Sequence, residues 1–170
     1  MNIFVLDQDP IACAKMHCDQ HVRKMILEYT GALSYPYSTK EKCPVFGPLK
    51  FMNYPVCQWA RKTVGNYAWL AELLEELGKE FEYRWGKKHS YDEKGYIDFF
   101  RTNKPNCVSG LEMTEFVMAM PDELKSENAI ESYREYYLQY KVKFAQWTKR
   151  KEPIWYTEGL KELFEAGEGQ

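Results

Sequence analysis

The stretch DPIACAKMHCDQHVRKMILEYTGALS, residues 9–34, carries the first architectural signal. Asp9 is a helix-capping residue type, and Pro10 suits the first helical position. Behind them Ala14, Cys18, Val22, Met25, Tyr29 and Leu33 recur at intervals of three and four. That is the apolar stripe of a helix packed on a core. Gly31 weakens the last turn and Pro36 ends it, so the pattern predicts one helix over 10–34.

The same periodicity extends outward. A second helix is predicted over 55–85, with Val56, Trp59, Ala60, Val64, Tyr67, Leu70, Leu74, Leu77 and Phe81 as its stripe and Gly86 as its stop. A third is predicted over 126–151, with Ile130, Tyr133, Tyr137, Tyr140, Phe144 and Trp147 facing inward and Pro153 ending it. Residues 35–55 contain Pro36, Pro44, Gly47, Pro48 and Pro55, a connection long enough to be a candidate binding loop. Residues 86–121 read as irregular, with a short helical turn around 93–101. The opening MNIFVLD has no second strand to pair with and reads as an extended arm pressed into the core. The expected fold is all-α: one domain over 1–156, built from three long helices, irregular loops and an N-terminal arm, followed by an acidic flexible tail over 157–170.

Composition narrows the function. The chain has 170 residues, enough for one ordinary domain, and 16% of them are aromatic. Such a supply suits a helical core or a pocket that stacks on flat ligands. The net charge is −2, of which residues 157–170 contribute −3, leaving the rest at +1. A protein that lives on duplex DNA usually carries a clear basic excess, so phosphate recognition here must come from local clusters. No apolar run approaches the ~20 residues of a membrane span. With no leader, an odd number of cysteines and no CxxC pair, reduced thiols in a cytoplasmic protein are expected. GxxxxGK, GxGxxG and GxSxG are absent, which argues against ATP-hydrolysing and dinucleotide-dependent classes.

Candidate chemistry lies on helix flanks. His17, His21, Lys24 and Glu28 follow one another by four, three and four, and so stack on one face about 115° from the centre of the apolar stripe. A helix lining a cleft has this geometry, and so does a solvated edge with a Lys24–Glu28 pair. Cys13, Cys18, His17 and His21 have zinc-like spacing, but no second ligand pair completes the set, so no metal or cofactor is expected. Arg134 and Lys141 share a face of the third helix, and Trp155 and Tyr156 follow it, a basic and aromatic combination suited to phosphate and base. Arg61, with Asn66 beyond it, adds a cation from the second helix. The flanking positions predict that Lys24, Glu28, Arg61 and Arg134 converge on one pocket.

Three segments carry a likeness to a family. The start Met1-Asn2-Ile3-Phe4, the run Asp19-Gln20-His21 with Glu28 seven residues after the histidine, and the stretch from Arg150 through Pro153, Trp155 and Tyr156 resemble, in this order, the phage pyrimidine-dimer DNA glycosylases of the endonuclease V type. The resemblance implies a compact all-α fold with the N-terminus threaded between helices. It also implies that the terminal amine, here that of Met1, attacks a sugar carbon as a Schiff-base nucleophile. Glu28 would assist the sugar chemistry, while His21, Trp155 and Tyr156 would hold the substrate. A neutral amine beside a carboxylate is coherent chemistry, because the carboxylate stabilises a developing sugar cation.

Two readings follow. Leu27 and Gly31 stand where the family has arginines that clamp phosphate, and the basic field is weak. The first reading is therefore a binding protein, a phage product sequestering a small nucleotide-like host signal, with His21, Lys24, Glu28, Arg61, Asn66, Arg134, Lys141, Trp155 and Tyr156 as ligand contacts. The alternative is a DNA glycosylase and AP lyase acting on damaged pyrimidines, with Met1 and Glu28 as catalytic groups and DNA as partner.

Overall fold

A computed structural model describes residues 1–37, 42–105 and 110–168, apart from the side chains of 166–168. It is all-helical, with no strand among the described residues. The helices are α1 (Pro10–Met16), α2 (Asp19–Ser34), α3 (Pro55–Ala60), α4 (Val64–Trp85), α5 (Ser90–Glu93), α6 (Tyr96–Thr102), α7 (Ala129–Tyr140) and α8 (Ile154–Glu168). Three short 3-10 turns, at Tyr35–Tyr37, Leu49–Phe51 and Asp122–Leu124, complete the helical elements. α4 is the central member, and α1, α2, α3 and α6 pack around it. No helix among the described residues is long and apolar enough to cross a membrane.

The three expected long helices are each interrupted. The first breaks at His17 and Cys18, whose backbones are extended. The break is held by Arg84, which is 1% exposed and donates to the carbonyls of Lys15 and His17 and to Asp19 Oδ1 at 2.8–3.1 Å. Glu80 accepts from Arg84 Nε and also pairs with Arg150, so the ion cluster joins α1, α2, α4 and the segment before α8. The second expected helix breaks after Ala60. Thr63 caps α4 by accepting from Asn66 N–H, and Val64 N–H donates to the Gly110 carbonyl. Gly65 allows this approach, since a Cβ there would lie 2.5 Å from Met113 N. Gly86 ends α4 at φ 69°, as its place in the sequence suggests.

The third expected helix stops at Tyr140 rather than 151. Beyond it the Gln146 carbonyl accepts from Asp19 N–H, Trp147 Nε1–H donates to the Met16 carbonyl, and Thr148 bonds Asp19 through its N–H and hydroxyl. These bonds hold the segment out of helical register. The acidic stretch from Thr157, expected as a flexible tail, continues α8 as far as Glu168. Four cysteines, Cys13, Cys18, Cys43 and Cys57, are free and buried; Cys107 lies outside the described residues.

The arm is the organising feature. Ile3, Phe4, Val5 and Leu6 are all at most 4% exposed. Phe4 N–H donates to the Tyr29 hydroxyl, and Cys13 both accepts from Leu6 N–H and donates to the Phe4 carbonyl. Asn2 spans two neighbours. Its amide nitrogen donates to the Ala119 carbonyl at 2.8 Å and its oxygen accepts from Tyr133 at 3.0 Å.

Candidate functional site

The arm delivers the chain terminus to Glu28. Met1 N lies 3.7 Å from Glu28 Oε2, and Asn2 N–H donates to that same oxygen at 3.0 Å. Lys24 Nζ pairs with the other oxygen, Oε1, at 3.2 Å. The Glu28 side chain is 15% exposed, so its position is fixed by partners on both oxygens. Met1 is anchored by its side chain, which is 5% exposed and packs against Gly31 while its sulfur accepts from the Cys57 thiol. The residue as a whole is less deeply buried, so what reaches solvent is its backbone end.

Gly47 belongs to this cradle. A Cβ on it would lie 2.6 Å from the Tyr35 hydroxyl and 2.9 Å from Gly31 Cα. The loop and the Met1 side chain therefore pack beside Gly31. Positive charge comes from Arg61 at the end of α3. Its guanidinium donates to the Met52 carbonyl at 2.6 Å and reaches Asn53 Oδ1, with no carboxylate partner among the described residues.

Cys57 sits among these groups, and burial pushes its thiol up to about 11. The charges of Arg61 and the Met1 amine work against that rise and Glu28 works with it, which locates all three around the sulfur. A thiol held in its protonated form is a poor nucleophile.

Beside the cluster an open cleft of about 940 Å³ runs between α3 and the segment 114–117. Arg61, Lys62 and Gln58 line one wall, Thr114 and Glu115 the other. Trp59, Phe116, Val56 and Val117 join it to the arm at Ile3 and Val5.

The other expected contacts lie elsewhere. Arg134 donates to the Leu6 carbonyl at 3.0 Å and pairs with Asp7 at 3.5 Å, at the opposite end of the arm from Met1. Of the four residues expected to converge on one pocket, Lys24 pairs with Glu28, Arg61 is linked to Glu28 only through the Cys57 thiol on which both charges act, and Arg134 is held at the far end of the arm. Trp155 stands with Arg134, 5.5 Å from ring centre to guanidinium, and donates to the Met16 sulfur. Tyr156 is buried against Trp147. Asn66 is fully buried, donating to the Trp59 carbonyl and Thr114 and accepting from Thr114 N–H. It holds the cleft walls together from behind.

His21 is 4% exposed, stacks on Phe4 at 4.2 Å and bonds the Tyr137 hydroxyl. Burial first, and then the charges of His17, Lys141 and Lys24, lower its pKa to about 2. It is a neutral core group beneath the site. Among the described residues no three His, Cys, Asp or Glu side chains are grouped to hold a metal ion.

The sequence reading missed Asn2, Tyr133 and Cys57. Asn2 had a visible signal, a lone amide inside an apolar run. Comparison of the chain with protein-family models, with curated proteins and with solved structures gives no match.

Proposed function

We propose that this chain is a DNA glycosylase with AP-lyase activity that reacts through the Met1 amine. The observation that carries the reading is the 3.7 Å approach of that amine to a carboxylate oxygen already fixed by Asn2 N–H. It takes Met1 as the terminal residue of the working protein. At a damaged nucleotide the Met1 ammonium first gives a proton to solvent, and the freed lone pair of the nitrogen attacks C1′. The electron pair of the glycosidic bond leaves with the base, which takes up a proton. The nitrogen then loses a proton, C1′–O4′ opens with protonation of O4′, and an iminium forms. At an abasic sugar the amine adds to the open-chain aldehyde, and loss of water gives the same iminium.

Glu28 then accepts the C2′ proton. The C–H electron pair forms the new double bond and the C3′–O bond breaks with its pair on the phosphate. Water hydrolyses the imine and frees the amine. A carboxylate so placed also stabilises the cationic sugar. Arg61 and Lys62 supply anion attraction in the cleft, the part that arginines beside the glutamate play in the family the chain resembles.

Borohydride reduction on an oligonucleotide with one abasic site tests this. The expected result is a covalent adduct at Met1, prevented by N-terminal acetylation or by a Gly-Ser extension. Glu28→Gln is expected to lower strand cleavage about 100-fold or more while binding persists, because its role is in the transition state. Folded protein that gives no adduct defeats the reading.

The cleft itself favours a second reading, binding without turnover. Its volume suits a nucleotide, and its cations Arg61 and Lys62 have no carboxylate partner among the described residues. Calorimetry with a nucleoside monophosphate would then show saturable binding that Arg61→Glu abolishes, and no adduct would form.

A further inference from the structure

Lys141 closes α7, and its ammonium lies 4.6 Å from the ring centre of Tyr136, 5.7 Å from that of Phe4 and 6.0 Å from that of Phe144. Among the described residues no carboxylate pairs with it, whereas Lys24, Lys88 and Lys125 each meet one and Lys79 meets two. The surroundings are aromatic and open. Tyr140 is 48% exposed and packs on Tyr136 at 5.1 Å, and Phe144 is 36% exposed. This patch adjoins the amine site along α2. The charges of Lys141 and Lys24 both act on His21, which Phe144 also touches. His21 and Glu28 are two turns apart on one helix face, about 10 Å.

We infer that this patch is a subsite for an unpaired nucleotide of single-stranded DNA, next to the reacting sugar. An unpaired base stacks on Tyr140 or Phe144, and the Lys141 ammonium takes a flanking phosphate. Bases in a duplex already stack on each other and offer no free face to such rings. Exposed aromatics beside a cation therefore gain most from a single strand. The inference rests on the amine reading in naming the polymer as DNA and in setting the patch beside the reacting sugar.

The test is fluorescence anisotropy with a short labelled oligothymidylate, free and annealed to oligoadenylate. The single strand is expected to bind at least about tenfold more tightly than the duplex. Tyr140→Ala and Lys141→Gln are each expected to weaken it about tenfold, within the range for loss of a stacking or phosphate contact, with unchanged melting curves. Lys79→Gln, which removes a surface charge paired with Glu75 and Glu76, is expected to bind like the parent chain. Equal or tighter duplex binding, no single-strand binding, or unchanged affinity in both patch variants overturns the subsite. The probe has no abasic site, so this result is independent of adduct formation. A trapped adduct without strand preference removes the subsite and leaves the chemistry. Strand preference without an adduct does the reverse.

Discussion

Acidification should unfold this protein through its histidines. His17 is fully buried, and its Nδ1 donates to the Cys13 carbonyl at 2.8 Å, since a carbonyl can only accept. Its Nε2 is left to accept from the Tyr29 hydroxyl at 3.1 Å, and that oxygen already takes Phe4 N–H. Burial, with a smaller push from Arg84, lowers the His17 pKa to about 4, and His21 falls to about 2. Both lie below the ordinary value of 6.5 that the unfolded chain recovers.

Below 6.5 the unfolded state therefore binds protons that the folded state refuses, and stability falls as pH falls. It is fully present above pH 6.5 and declines toward pH 4 for His17 and toward pH 2 for His21. Between pH 7 and pH 5 each histidine contributes about 2 kcal/mol of loss, about 4 kcal/mol together. Small domains have only about 5–15 kcal/mol in total. Urea denaturation at the two pH values should show the midpoint falling by about 2 M, taking a slope near 2 kcal/mol per molar. His89, whose pKa burial also lowers, acts with the same sign. An unfolding free energy that changes by less than about 1 kcal/mol between pH 7 and pH 5 would rule out this histidine linkage. Ring protons of His17 or His21 that titrate in the folded state near pH 6 would rule it out equally.

Arg84→Met should cost about 3–5 kcal/mol in urea denaturation, because Asp19 loses its ion pair and the carbonyls of Lys15 and His17 lose their donor. Gly47→Ala should lower the melting temperature by several degrees, since its Cβ must displace Tyr35 or α2, an overpacking cost of about 1–3 kcal/mol. The same variant should reduce adduct formation by disturbing the seat of Met1, and a parent-like yield would show that the seat tolerates the methyl. Cys57→Ala should still form the borohydride adduct, because a thiol pushed up to about 11 is not the nucleophile. Loss of the adduct in a folded Cys57→Ala protein would show that the thiol's contact with the Met1 sulfur sets the position of the amine, because borohydride traps an imine and not a sulfur adduct.

Helix stripes were legible because periodicity is local. Val22, Met25, Tyr29 and Leu33 are all buried, as are Leu70, Leu74 and Leu77. The helix breaks were not legible, because nothing at those positions resembles a breaker. Neither His17-Cys18 nor Arg61-Lys62 contains glycine or proline. The first is held open by an arginine some sixty-five residues away in sequence, and α4 begins where Gly110 meets Val64. Flank positions placed Lys24 beside Glu28, yet the same logic applied to Arg134 and His21 led elsewhere. What separates them is the arm, which covers His21 with Phe4 and ties down Arg134 with Leu6 and Asp7.

An arm without periodic structure presents no readable face, so its register had to come from side-chain fit. That register is sharply defined. Asn2 finds both a donor and an acceptor, Phe4 lies against His21 and is ringed by Tyr133, Tyr136 and Tyr137, and Leu6 is fully buried. A slip of one residue would bring the amide of Asn2 toward the apolar seat of Ile3 and pull Phe4 from its rings. It would also carry the amine about 3.3 Å along the chain direction, nearly doubling its separation from Glu28 if the shift pointed directly away. The same side chains that close the core therefore fix the distance between the terminal amine and the Glu28 carboxylate, which is why fold and proposed chemistry depend on one short segment.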